Sequence, residues 1–192
     1  MKFQQRPVFG FTTRYNGVAN VLTNQISVCE AFDPNRGDPE TIKKQFTCIW
    51  DTGATNTVIS TNVINALSLK PSGRTIVHTV GEGGKVNEYE VNTYLVNIYL
   101  PNNVMIIGAI VAEGGISGGD LLIGMDIINM GDFAITNYEG QTCLSFRTPS
   151  VGQIDFVKEI DEFNFKNRHL NLSEDEKRRL KNRLKRERRQ NR

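Results

Sequence analysis

Over most of its first 150 residues the chain alternates apolar and polar positions. Leu22, Asn24, Ile26 and Val28 interleave with Thr23, Gln25 and Ser27, a two-residue period suited to a half-buried strand. Phe46 to Trp50 is apolar, aromatic and β-branched enough to be a buried strand that runs straight into Asp51. Thr57 to Ile59 resumes an extended pattern, and Ser60 is placed to cap a short helix with Val63, Ile64 and Leu67 on one side. Thr75–Val80 and Glu88–Leu100 predict a hairpin whose tip is the cluster Gly81, Gly83 and Gly84, with Tyr94, Val96, Ile98 and Leu100 sharing one face. Pro101-Asn102-Asn103 turns into a strand over Val104–Val111. The glycine-rich stretch Gly114–Gly119 leads to Leu121-Leu122-Ile123-Gly124, and Phe133–Thr136 and Thr142–Phe146 complete the β-run. Asp33 to Glu40, with two prolines and a glycine, reads as a loop.

The character changes from Ile154 onward. Ser173 with Glu176 three residues later has capping-box spacing, and strong helix formers follow. Only Leu180 and Leu184 supply an apolar stripe there, so this helix is exposed or docked on a partner. The expected organisation is a β-domain over residues 1–150, followed by a linker and basic helical tail over 151–192.

Charge sharpens that division. The net charge of +2 hides ten Lys or Arg residues and a single acidic one, Glu187, between Lys177 and Arg192. That segment carries +9 and leaves residues 1–176 at −7. Apolar residues at 39% and charged residues at 23% fit a globular protein. Cys29, Cys48 and Cys143 are too few and dispersed for a disulfide framework, and His78 and His169 stand far apart. Buried thiols in a reducing compartment are expected, with no metal and no cofactor. Met1–Gly10 offers no signal-peptide core, and the most apolar stretch, Val104–Ala112, is nine residues long. A bilayer span needs about 20. A cytoplasmic location without membrane contact is the expectation.

The chemistry centres on Asp51. A carboxylate at the end of an apolar strand, followed by a hydroxyl residue and a glycine, gives a fixed acid, a hydrogen-bonding Thr52 and a tight turn at Gly53. Three residues recur by chance, and an Asp in a β-turn is the plain alternative. Order supplies the specificity. Asp51-Thr52-Gly53-Ala54-Thr55 follows a buried strand, a glycine-rich hairpin tip comes about thirty residues later, and Leu122-Ile123-Gly124-Met125-Asp126 about forty after that.

Over roughly residues 15–150 this arrangement resembles the retropepsin-like (retroviral-type) aspartic proteases and their cellular and bacterial single-lobe relatives. The resemblance implies a mainly β, closed-barrel fold with a flap hairpin and one or two short helices. It implies an aspartic endopeptidase assembled as a homodimer, since one lobe holds one catalytic aspartate. Asp51 then resembles the catalytic residue, and Thr52 the residue whose hydroxyl bonds across the dimer. Gly53 and Ala54 resemble the floor that accepts a bound peptide. Gly81, Glu82, Gly83 and Gly84 resemble the flap tip, and Ile123 and Gly124 the element threaded behind the catalytic loop. Ile127-Ile128 would begin the helix that follows. Two departures stand out: Asn56 and Met125 replace the acidic residue and the arginine that brace viral dimers.

The remaining acidic residues read plainly. Asp126 is expected to cap a helix, and Asp120 and Asp132 to lie solvated in turns. Trp50 reads as core filling and His78 as an ordinary strand residue. The Gly81–Gly84 cluster lacks the Lys-Ser/Thr of a phosphate-binding loop. The tail at residues 177–192 suits a nonspecific electrostatic tether to nucleic acid or a ribosome, or a merely solvated helix. The alternative function is a catalytically silent peptide- or partner-binding module tethered by that tail.

Overall fold

Period-two segments rich in β-branched and aromatic residues become ten strands in the computed structural model, which describes residues 7–36, 42–80, 83, 86–167, 173–179 and 181–182. The strands are β1 (Phe9–Arg14), β2 (Leu22–Glu30), β3 (Lys44–Trp50), β4 (Val58–Ile59), β5 (Gly73–Val80), β6 (Val86–Tyr99), β7 (Met105–Glu113), β8 (Leu121–Ile123), β9 (Asp132–Thr136) and β10 (Cys143–Thr148). Helices α1 (Thr61–Leu67) and α2 (Met125–Ile128) interrupt them, and α3 (Phe156–Asn167) follows. Residues 1–152 and 153–192 form two separate compact units.

In the first unit the larger sheet has the order β2-β3-β8-β4-β7-β6-β5. The C-terminal part of β6, Val96–Tyr99, also pairs with β2, so the ladder of pairings returns to its first strand. β5 stands outside that ring, on the N-terminal half of β6, as the free arm of a hairpin. Most pairs are antiparallel. The exceptions are β3–β8 and β4–β7, which are parallel and therefore lie deep, as their apolar sequences require. Tyr94, Val96, Ile98 and Leu100 are buried together, as their spacing predicts.

A second sheet, β1-β10-β9, packs on the first through aromatic rings. Trp50 at the end of β3 lies 5.4 Å from the Phe133 and Phe146 rings and 5.9 Å from Phe11. Its indole N–H donates to Asn24 Oδ1 at 2.9 Å, which satisfies the one polar atom this ring carries into the core. Truncating such a ring to alanine costs about 3–5 kcal/mol. Trp50 is core filling, and it also anchors the strand that delivers Asp51.

Several local expectations change. β1 is a strand that the sequence reading did not anticipate; it pairs with β10 at the far end of the domain, from Phe9↔Thr148 to Arg14↔Cys143. Ser60 occupies the N-cap position of α1, but its side chain makes no capping bond and its buried hydroxyl has no partner among the described residues. The cap consists of its carbonyl, which accepts from Val63 and Ile64 N–H. Asp132 is not a solvated turn residue. It opens β9, and Arg147, Ser150 and the Val151 N–H all donate to it. Those donors hold its carboxyl down at about 2.

In the second unit the segment expected to be a linker contains α3. Asp155 accepts from Lys158 N–H at 3.1 Å and caps the helix. Phe156, Ile160 and Phe163, at helical spacing, form an exposed apolar stripe. Beyond it, Ser173 and Glu176 make the reciprocal capping box: Ser173 N–H and Oγ donate to Glu176, and Glu176 N–H donates to Ser173 Oγ. These donors lower the Glu176 carboxyl from its usual value. Residues 174–179 are helical; most of the basic segment lies outside the described residues.

Candidate active site

β3 is buried at every second residue (Phe46, Cys48, Trp50), so its last side chain is locked and the next residue emerges from the core in a fixed direction. That residue is Asp51, half-buried, with its N–H donating to Ile123 O at 3.0 Å. The chain then reverses: Ala54 N–H donates to Asp51 O, and Gly53 N–H donates to Asp51 Oδ1 at 2.8 Å. One carboxylate oxygen is thereby oriented, and Oδ2 carries no hydrogen bond among the described residues. A side chain at Gly53 would place its Cβ 3.1 Å from Oδ1, crowding the acid.

Behind the loop passes the strand–helix element β8–α2. Met125 N–H donates to Ala54 O at 2.8 Å, and Asp126 N–H to Thr55 O at 3.1 Å. Gly124 fits only as glycine, because a Cβ there would lie 2.6 Å from the Asn56 carbonyl. Thr57, fully buried, ties the two segments together. Its N–H and Oγ1 donate to Asp126 at 2.9 and 2.7 Å, while Oγ1 accepts from Gly124 N–H at 3.1 Å. Asp126 is thus a brace for the loop as well as a helix residue; besides Thr57 it receives the Ile127 N–H. Neither Thr57 nor Asp126 entered the sequence-based site. Their separation of 69 residues hides the pair, and only the Ile123–Gly124 motif points to the neighbourhood.

Asp120 is also engaged, accepting from Thr47 N–H at 3.0 Å and Asn62 Nδ2 at 2.8 Å. This fixes the end of the Gly114–Gly119 loop beside β3. In front the picture differs. Thr52 and Gly53 are exposed, and the Thr52 hydroxyl has no hydrogen bond among the described residues.

The structure brings Asp51, Thr52, Gly53, Ala54, Ile123 and Gly124 into one loop-and-brace unit. A groove of about 500 Å³ runs beside it, lined by Asn56, Thr93, Ile110, Ala112 and Asp126, with Arg74 and Thr75 from the hairpin arm. The hairpin is formed by β5 and β6, paired from Gly73↔Thr93 to Val80↔Val86. Of its tip, Gly83 has φ +71°, a conformation that glycine adopts readily. Gly81, Glu82 and Gly84 lie outside the described residues. His78 lies on β5, with Nδ1 3.4 Å from Glu88 on β6. No cluster of metal ligands occurs among the described residues. The Cys48 thiol, buried in the core, is pushed up to about 12 and cannot act as a nucleophile at neutral pH.

Fold and site together define a mainly β chain with one Asp-Thr-Gly loop braced by a hydrophobic-Gly strand. Residues 42–130, a stretch that holds both motifs and the hairpin between them, match the family described as gag-polyprotein putative aspartyl protease. Over that stretch the chain is similar to the retropepsin-like aspartic proteases. No curated protein gives a significant match.

Among solved structures, a retropepsin-like aspartic protease from Rickettsia conorii aligns at 10% identity and TM-score 0.42, covering 76% of this chain and 99% of that one. EIAV protease complexed with the inhibitor HBY-793 aligns at 21% identity and TM-score 0.36, covering 59% and 89%. The retroviral protease-like domain of Ddi1 from Leishmania major aligns at 16% identity and TM-score 0.35, covering 70% and 98%. At these TM-scores the likenesses set no geometry for this chain.

Proposed function

We propose that the protein is an aspartic endopeptidase in which two copies each contribute Asp51. The observation that carries this reading is the loop itself. It is braced from behind by Thr57, Gly124 and Asp126, and open in front at Thr52 and Gly53. The described residues hold a single Asp-Thr-Gly, so the second carboxylate has to come from another copy. Two carboxyl groups about 3 Å apart cannot both be charged, and such a pair holds one proton between them. The charged member takes a proton from water as the oxygen attacks the peptide carbonyl, and the protonated member donates to the carbonyl oxygen. Collapse of the tetrahedral intermediate breaks the C–N bond and returns a proton to the departing amine. No metal or cofactor is required.

In this reading Gly53 and Ala54 form the floor for the peptide backbone. The β5–β6 hairpin, with residues 81–84 at its tip, closes over it and excludes water. Thr52 is left to bond across the dimer. The groove beside Asn56 and Asp126 takes substrate side chains. Residues 177–192 act as an electrostatic tether for nucleic acid or a ribosome. Such binding should weaken steeply with added salt and vanish on deletion of 173–192.

Cleavage of a peptide library, scanned from about pH 4 to 7, tests the reading. Asp51→Asn, which is nearly isosteric, should lower cleavage by about 10³-fold or more while leaving the circular dichroism spectrum unchanged. Retained cleavage would move the catalytic residue elsewhere. A wild-type protein that binds peptides without cutting them would favour the silent partner-binding module.

A further inference from the structure

The second unit carries an apolar surface that the catalytic reading does not use. On α3, Phe156, Ile160 and Phe163 are 61%, 55% and 66% exposed, and no residue of the helix is buried. Nothing among the described residues covers this face. A helix of 12 residues is marginal in water unless something packs on it. Phe156, Ile160, Phe163 and Asn167 succeed one another at steps of four, three and four, the a/d rhythm of a seam that packs on another helix. A polar residue such as Asn167 within such a seam fixes register at some cost in stability.

The charges beside the seam select the partner. Glu159 and Lys166 stand one heptad apart on the same flank. In two α3 helices laid antiparallel, Ile160 of each meets Phe163 of the other, and Phe156 meets Asn167. The same alignment sets Glu159 of each helix opposite Lys166 of the other, so the ion pair forms twice. On the other flank Val157 meets Asn164, which brings no charges together. A parallel pair would set Glu159 against Asn164 and leave Lys166 beyond the partner's helix, with no opposite charges meeting. In the single chain the Glu159 carboxylate has no partner among the described residues, and Lys166 reaches only Glu162, at 3.9 Å. With two lysines and three acidic residues α3 is net −1, a poor match to an anionic lipid surface.

We propose that α3 is a self-recognition surface, on which α3 of a second copy docks antiparallel about a twofold axis. The contact is isologous, each helix offering the same seam and the same two charges. It lies outside residues 42–130, the stretch similar to the protease family, and does not depend on Asp51. In the protease reading it supplies a second clasp for chains whose Asn56 and Met125 leave out the charged brace.

Sedimentation equilibrium of the full chain, at low salt, reads the association without reference to cleavage. Phe163→Ser should raise the dissociation constant by at least about tenfold with an unchanged thermal melt, because Phe163 is exposed in the single chain. Glu159→Lys and Lys166→Glu each set like charges across the seam and should each weaken association by about three- to tenfold. An equimolar mixture of those two variants should recover the wild-type constant, since opposite charges meet again in the mixed pair. Lys158→Glu, on the far side of the helix, makes the same change in net charge as Lys166→Glu and should have no effect. Association that ignores Phe163→Ser, or a mixture that restores nothing, overturns the proposal, as does a chain that is monomeric throughout. If Phe163→Ser leaves association unchanged but abolishes flotation with phosphatidylserine–phosphatidylcholine vesicles, the face belongs to a lipid surface and the proposal also falls. A chain that cleaves as a dimer yet ignores every α3 variant overturns the α3 pair alone. A chain that shows the charge-swap rescue and cleaves nothing supports the α3 pair and sinks the protease reading.

Discussion

The two sides of the Asp51 loop are built differently. Behind it, hydrogen bonds tie the loop to β8 and α2: Thr57 with Asp126 and Gly124, Ala54 O with Met125 N–H, Thr55 O with Asp126 N–H. In front, Thr52 offers a hydroxyl that bonds to nothing among the described residues, and Gly53 lies open. A surface turn with no further role has no need of a buried threonine and a carboxylate to hold its back. A site that must meet a partner and a substrate needs that rigidity behind and that emptiness in front. The contrast shows where mutations should act on folding and where on assembly.

The largest effect on stability should come from Gly124→Ala. The new methyl would meet the Asn56 carbonyl at 2.6 Å, and neither segment can give way without breaking the Met125 and Asp126 bonds. A loss of about 2–4 kcal/mol is expected from urea unfolding. A shift below 0.5 kcal/mol would mean that the packing behind the loop is soft.

Thr57→Val keeps the shape and removes the hydroxyl, which leaves the buried Gly124 N–H unpaired and takes one of two donors from Asp126 Oδ1, which keeps the Ile127 N–H. The expected cost is about 1–3 kcal/mol by the same measurement. Thr52→Val, in front, should change monomer stability by less than about 0.5 kcal/mol. Its effect should appear as a weaker dimer and lower cleavage at low protein concentration. If Thr52→Val instead unfolds the monomer, the distinction between the two sides collapses.

A smaller effect is set by pH. Asp132 is depressed to about 2 by Ser150, the Val151 N–H and Arg147. A carboxylate lowered on folding contributes stability above its unfolded pKa, near 3.9, and that contribution is lost as pH falls toward about 2. Asp132→Asn should therefore flatten the acid limb of a stability-versus-pH curve between about pH 4 and 2 and leave its slope near neutrality unchanged. An identical acid limb in the variant would show that these contacts do not persist in solution.

The most readable part of the sequence was the element whose signals are local. Asp51-Thr52-Gly53 is announced by the buried strand before it, and Ile123-Gly124 by the strand that ends in it. Both fall where their spacing predicts. The brace was illegible for the opposite reason: Thr57 and Asp126 are ordinary residues until the fold crosses two segments 69 positions apart. β1 was missed because Phe9–Arg14 is short and its partner is at the far end of the domain. Asp132 looked like a turn residue because its three donors come from residues 147–151. α3 is a different matter. Asp155 followed by Phe156, Ile160 and Phe163 is a capped, amphipathic pattern that local reasoning could have found.

The claim that each site takes one Asp51 from each of two chains is tested most directly by mixing. Wild-type and Asp51→Asn chains, equilibrated together at equal amounts and fixed total protein above the dimer dissociation constant, form homodimers and mixed dimers at random. If both carboxylates are needed, only pairs of wild-type chains cleave, and activity should fall to about a quarter of the undiluted wild type, with a quadratic dependence on wild-type fraction. Activity that falls linearly, to about one half, would mean that one chain suffices and would contradict the account.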